Sequence, residues 1–332
     1  MATFPSSLRA LVLLLQAPAP ATPPGPAAPA LPADSLAVLR DRAARDSTDP
    51  RGWLSLGRGY LDFETVARHA TGVAREDSGS ARALLDTAEA ALVRAAALAG
   101  PAGATGAEDS ARVWRVGVWA ARSQLAWVAR GSGAGPDFWG PLPQDLRIPA
   151  VLEELGENLL RACPTQGVLL TAGAADSHAT WYMRFARGLR PDLLVVPLAA
   201  WRADRALRAR LALDLQLGRR TEGDAWLGAL LKRRPVCVSM AFDRPPEPRA
   251  RIAWQVRPLL WVAGRAGKSP GVPPRDFGFA ALRLALDAHD PWSEVPLAVY
   301  ARAVRSTPGL CEPLATFRVA ADVPACRRSS AR

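Results

Sequence analysis

Lysine is nearly missing from this chain: of its 42 basic residues only Lys232 and Lys268 are lysines, and the rest are arginines. A formal charge of +11 built in this way follows from a GC-rich codon supply as readily as from phosphate binding, so it selects no nucleic-acid partner. Histidine is scarce too. His69, His178 and His289 are the only three, no two lie near each other or near a cysteine, and Cys163, Cys237, Cys311 and Cys326 form no Cys-x-x-Cys pair. That ligand supply argues against a structural zinc or other transition-metal site, and no cofactor is expected. Long apolar runs are also lacking: none approaches the roughly 18 to 20 residues of a membrane-spanning helix, so no transmembrane segment is expected in the mature chain. What is present is the composition of a folded protein, 332 residues with 49% hydrophobic and 22% charged, which excludes a largely disordered chain and gives length for about two domains.

The first 33 residues are of a different kind. Arg9 precedes the apolar run Ala10 to Leu15, and Ala19, Pro20 and Ala21 supply the small-x-small pattern of a signal-peptidase site. Seven prolines between Pro18 and Pro32 deny the backbone helix and sheet bonding. Residues 1–33 are therefore expected to be a signal peptide and Pro/Ala-rich leader, with the mature chain starting near Thr22 in the periplasm or outside the cell. An even number of cysteines fits that compartment. Cys311 and Cys326 are expected to pair across a tail with little core of its own, where a loop of that size contributes about 3 kcal/mol. Cys163 and Cys237, beside or inside buried strands, are expected to be packed thiols.

Residues 34–130 read as helical. Leu36, Leu39 and Ala43 share one face of a helix over Asp34 to Asp46. Trp53, Leu56, Gly57 and Tyr60 then have the spacing of the first helix of a tetratricopeptide repeat, in which a small residue lets the partner helix approach. Thr65 to Ser80, rich in Gly, Ser and charge, reads as an insertion. Ala88, Leu92 and Ala95 resume the repeat-like pattern as its second helix, stopped by Gly100 and Pro101. A further helix over Asp109 to Arg130 carries Trp114, Gly117 and Trp127 among its apolar positions, and its tryptophans read as core. One and a half repeats cannot bury their faces alone, so they are expected to lean on the C-terminal half.

Residues 131–147 are a Gly/Pro-rich linker carrying Phe138 and Trp139, and an amphipathic helix over Ile148 to Ala162 opens an α/β region, 148–270. Strands are expected over Gly167 to Thr171, Leu193 to Leu198, Val236 to Phe242 and Leu259 to Ala263. Helices over Asp176 to Arg187, 201 to 217 and 222 to 232 connect the first three, which makes the sheet at least partly parallel and helix-covered. Arginines on 201–220 (Arg202, Arg205, Arg208, Arg210, Arg219 and Arg220) form a basic cluster that reads as a solvated face. Residues 271–332 are a helical tail in which Tyr300, Ala303 and Pro308 repeat the large, small, proline spacing of a tetratricopeptide hairpin. The fold class is thus mixed α and α/β: tetratricopeptide-like helices packed on a small sheet, with a helical C-terminal hairpin.

Two motifs fail on inspection. Gly264 to Ser269 ends like a phosphate-binding loop, but Val262 occupies the first required glycine position and Pro270, Pro273 and Pro274 prevent the helix that should follow. Gly131, Ser132 and Gly133 lack the spacing of a nucleophile elbow.

A third is more specific. Gly173 and Asp176 in the turn after the first strand, then Trp181 and Tyr182, then Gly188, Leu189, Arg190, Pro191 and Asp192 resemble the soluble α/β tail of bacterial membrane proteins related to protein O-mannosyltransferases. The resemblance covers residues 165–264. It implies an accessory working beside a membrane glycosyltransferase, with a sugar or a lipid-linked sugar as ligand. The transmembrane catalytic region of that family has no counterpart here, and Ala174 and Ala175 stand where its first Asp and its Asn would be. A lone Asp176 makes neither a glycosidase pair nor a multi-oxygen cation site. Asp176 reads as the N-cap of the next helix, its carboxyl held low by the helix dipole and N–H donors. Gly173, Asp176, Ser177 and His178 remain as a vestigial ligand turn.

Two functions follow from these residues. The first is an exported, non-catalytic interaction module whose partner is another exported or membrane protein. The second is the glycosyltransferase-related or sugar-binding accessory. A nucleic-acid partner is not expected.

Overall fold

A computed structural model describes residues 33–71, 78–100, 107–218, 225–246, 252–264 and 271–329. The leader, the Lys268 loop, Arg219 and Arg220 lie outside the described residues. Among those described, no helix is long and apolar enough to cross a membrane.

The N-terminal helices are α1 (Ala33–Arg45), α2 (Pro50–Thr71), α3 (Ser78–Ala99) and α4 (Ala107–Arg130). Asp49 starts α2, its carboxylate accepting the N–H groups of Arg51 and Gly52. The short connection from α2 to α3 makes them antiparallel neighbours, and Gly57 faces Leu92 and Ala88 so closely that a Cβ at 57 would stand 2.5 Å from Leu92 Cγ. Ala88, Leu92 and Ala95 are fully buried, and Leu56 nearly so, with Trp53 and Tyr60 packed half-buried at the edges.

The expected insertion at Thr65 is corrected. Helix α2 continues to Thr71 and α3 begins at Ser78, with 72–77 outside the described residues; Arg68, one of the charges that suggested a surface loop, is buried and bonded to Glu64 one turn back and to Asp204 far along the chain. Helix α4 is apolar on two sides for a reason its sequence does not reveal. Val118, Ala121 and Leu125 pack on α2 and α3, whereas Val113, Val116, Trp119 and Trp127 belong to the core around the sheet. Arg122 ties α4 to α3 through Asp86 and Glu89. The linker after α4 is pinned by its aromatic, the Trp139 indole donating to the Arg122 carbonyl at 2.7 Å.

The sheet comprises β1 (Val168–Thr171), β2 (Leu194–Pro197), β3 (Val236–Ser239), β4 (Gln255–Arg257) and β5 (Leu260–Ala263) in the order β2-β1-β3-β5-β4. Strand β1 pairs parallel with β2 and with β3, Val168 meeting Leu194 and Val236. Strands β3, β5 and β4 are antiparallel. The architecture is mixed α and α/β as the sequence implies, with two refinements. Strand β3 stops at Ser239, and the proline-interrupted stretch before β5 contributes β4, an exposed edge strand whose residues face solvent and so show no apolar run.

Helix α5 (Ala150–Ala162) and α6 (Ala174–Phe185) pack together beside the sheet. The expected helix over 201–217 is two helices, α7 (Leu198–Ala203) and α8 (Arg205–Asp214), broken where buried Asp204 caps α8 by accepting the Leu207 N–H. Among the arginines of this segment, Arg208 donates to the carbonyls of Trp201 and Arg202, and Arg210 pairs with Asp214 and donates to the Arg130 carbonyl. Helix α9 (Ala225–Leu231) leads into β3.

The tail consists of α10 (Ala280–Asp287), α11 (Glu294–Ser306), α12 (Cys311–Thr316) and α13 (Pro324–Ser329). It is fastened to α5, where Glu154 accepts the Ala281 and Leu282 N–H groups at the start of α10 and buried Asn158 donates to the Gly278 carbonyl and to Tyr300. Tyr300 and Ala303 are fully buried.

Cys311 is bonded to Cys326. Cys163 and Cys237 are bonded as well, across 74 positions, which corrects their reading as packed thiols. The end of α5 lies over β3 and brings the two Cα atoms to 5.8 Å, a proximity that local pattern does not encode.

Candidate functional site

The candidate site forms where β1 ends. The chain leaves the sheet at Thr171, turns through Ala172 and Gly173, and enters α6. Gly173 is the N-cap of α6, and Asp176, expected there, stands three residues inside the helix. From that position its carboxylate reaches back and accepts the N–H of Gly173 and of Ala172, both at 2.8 Å. Ser239 at the end of β3 supplies a further hydrogen bond. Asp176 is 1% exposed, and burial pushes its carboxyl above the ordinary carboxylate range despite these donors. The expected lowering is thus also corrected: the dipole argument suits a solvated helix end, and this one is enclosed.

Ser177 is taken up internally, its hydroxyl 2.7 Å from that of Thr171. His178 is 9% exposed and its Nδ1 has no hydrogen-bond partner. Burial alone holds its pKa down to about 4, so the imidazole is uncharged at neutral pH. The ring lies against α4. A Cβ on Gly117 would stand 2.7 Å from His178 Cε1 and 2.9 Å from Nε2, so only glycine at 117 leaves room for it. The Trp114 ring meets the imidazole edge-on at 5.6 Å, and the Arg58 guanidinium covers Trp114 at 4.4 Å.

These residues line a cavity of about 280 Å³, open to solvent on one side, between α2, α4, the β1–α6 turn and the start of α7. Gly173, Ser177 and His178 line it, whereas Asp176 stands behind them as the clasp that shapes the turn. Ala174 and Ala199, exposed, lie at the rim. The opposite wall comes from α2, with Leu61, Asp62, Arg68 and His69. Arg68 donates to Glu64, Asp204 and the Gln124 side chain. His69 Nε2 is buried without a partner, and its pKa is lowered by burial and then by neighbouring Arg68. Burial raises the Asp62 carboxyl, partly offset by Arg58. Among the described residues no group of three or more His, Cys, Asp or Glu side chains is placed to hold a metal.

The repeat-spacing residues Trp53, Leu56, Gly57, Tyr60, Ala88, Leu92 and Ala95 do not line the cavity. They join α2 to α3, and Leu61, one turn after Gly57, carries that packing to the cavity wall. Sequence reasoning missed Gly117, Asp62, Arg68 and His69 as wall residues. A glycine inside an otherwise apolar, Trp-bearing helix was the one signal pointing there, since it marks a close approach.

Neither Asp176 oxygen is free and Ser177 is paired with Thr171, whereas Asp62 and the Gln124 side chain contribute further polar groups to the lining. The arrangement can hold a small molecule against a largely apolar lining that carries a few polar side chains. No family model, no curated protein and no solved structure matches this chain.

Proposed function

We propose that this chain is an exported, non-catalytic binding protein that holds a small molecule in the cavity between its N-terminal helices and the β1–α6 turn. One observation carries the reading: a cavity of about 280 Å³ is lined mainly by apolar and aromatic side chains, among them Leu61, Trp114, Trp127 and Trp181, with a few polar groups such as Asp62, Gln124 and His178. A concave, mostly apolar lining with a few polar side chains is the usual make-up of a small-molecule site. The two disulfides, one inside the core, support a site of action in an oxidising compartment outside the cytoplasm. Catalysis finds less support, because the carboxylate nearest the turn is enclosed and fully bonded.

The glycosyltransferase accessory is a second reading, favoured by the fact that Gly173 and Trp181 of the resembling segment line the cavity together with Ser177 and His178. The interaction-module reading is weaker, since Gly57, Ala88 and Leu92 face each other inside the protein. Purification from the exporting cell without denaturant, followed by solvent extraction and mass spectrometry, tests the proposal. A stoichiometric small molecule that is absent from Gly117→Leu is expected. A protein partner retained in its place, with nothing extractable, would overturn it in favour of the interaction module.

A further inference from the structure

We infer that the chain carries a second binding site, for an organic monoanion of the carboxylate class, where the linker before α5 makes a concavity against the end of α6. The concavity measures about 450 Å³, is open to solvent, and is lined by Arg147 and Arg187 together with Glu153, Tyr182, Pro143 and Leu146. It shares no residue with the cavity between α2 and α4, so it stands or falls independently of the ligand proposed there.

The pairing of charges around it carries the inference. The carboxylates nearest in sequence are already taken, Asp145 by Arg115 at 2.7 Å and Asp192 by Arg190 at 2.9 Å. On the same elements Arg161 pairs with Glu157 and Arg184 donates to the Leu193 carbonyl. Among the described residues Arg147 and Arg187 are in no ion pair, and both are exposed. They nevertheless act on one point. Tyr182 is 4% exposed, and burial and then the Glu153 carboxylate, to which its hydroxyl donates, hold the phenol above its ordinary range against the charges of Arg187 and Arg147. Glu153 is thus turned to a hydroxyl and leaves both guanidiniums to the concavity.

The balance of charge selects the ligand. Two guanidiniums against one carboxylate leave an excess of one positive charge on the lining, which a monoanion cancels and a dianion exceeds while standing beside Glu153. The planar guanidinium fork matches the paired oxygens of a carboxylate. Leu142, Pro143, Leu146 and Ala186 supply apolar surface next to the arginines, so the body attached to that carboxylate packs on them and excludes water from one side of the ion pair.

Calorimetric titration of the full oxidised chain at pH 7 and low salt tests this with benzoate, its neutral counterpart benzyl alcohol, and the dianion phenyl phosphate. Benzoate should bind about tenfold more tightly than benzyl alcohol, and more tightly than phenyl phosphate. Arg147→Gln and Arg187→Gln should each weaken benzoate about tenfold, and Glu153→Gln should tighten it. Arg305→Gln, which removes an exposed arginine of α11, should leave it unchanged. Equal affinity for benzoate and benzyl alcohol, or binding of none of the three probes, overturns the anion site. Tighter binding of phenyl phosphate overturns the monoanion class. An equal loss in Arg305→Gln shows a diffuse response to net charge and overturns the site as well. Gly117→Leu, which fills the other cavity, should bind benzoate as wild type does. If folded Gly117→Leu loses benzoate while the Arg147 and Arg187 variants keep it, the anion lies between α2 and α4 and the second site is overturned.

Discussion

His178 lies against the bare Cα of Gly117, close enough that a methyl group at 117 would stand 2.7 Å from the imidazole Cε1. A glycine near the middle of α4 costs helix stability of about 1 kcal/mol relative to alanine, and here that cost secures the seat of a buried, uncharged histidine. The same contact brings the N-terminal helices onto the turn that follows β1.

The buried imidazole makes stability depend on pH. His178 titrates near 6.5 when unfolded and near 4 when folded, so its contribution is complete above pH 6.5 and is lost as the pH falls towards 4. The shift corresponds to about 3 kcal/mol at most. Urea unfolding between pH 7 and pH 4 should show wild type losing stability faster than His178→Phe over that window. Parallel curves for the two proteins would mean that the ring is solvated in the native state.

Gly57 meets Leu92 and the Ala88 carbonyl across the α2–α3 contact, with 2.5 Å and 3.1 Å available to an added Cβ. Gly57→Leu should overpack this contact and cost about 1 to 3 kcal/mol. Thermal unfolding reads it directly, and an unchanged midpoint would show that the two helices are not in close contact.

Arg68 is the single guanidinium between two buried carboxylates, Glu64 at 1% and Asp204 at 0% exposure. Removing it strands both, and Arg68→Ala should cost about 3 to 5 kcal/mol in urea denaturation. Arg68→Lys, which keeps the charge and loses the fork, should fall between it and wild type. Equal stability of all three would exclude the network.

The disulfides should differ in accessibility. Cys163 and Cys237 are both buried, whereas Cys311 is partly exposed, so mild reductant followed by peptide mapping should open the Cys311–Cys326 bond first. Replacing both cysteines of a pair by serine should cost about 3 kcal/mol for the 15-position loop and about 4 kcal/mol for the 74-position one. Labelling of all four as free thiols in exported protein would exclude both bonds.

The sequence by itself determined what depends on near neighbours. Apolar spacing placed α1, α4 and α5 to within a few residues, and buried runs located β1, β2, β3 and β5. The crossover rule made the first strand pair parallel. Gly57 was legible because a glycine set between large residues at helical spacing leaves a gap that a neighbouring helix fills. Tertiary structure decided whatever depends on residues far apart in the chain. It buried the charges of Glu64 and Arg68 against Asp204, joined Cys163 to Cys237, and enclosed Asp176, reversing the direction of its carboxyl's shift. The cavity belongs to the same category, since Gly117, His69 and His178 come from three helices and acquire a shared role only when α2 and α4 close over the end of β1. Local pattern reports which face of an element is apolar, whereas burial, pairing and protonation depend on what that face meets.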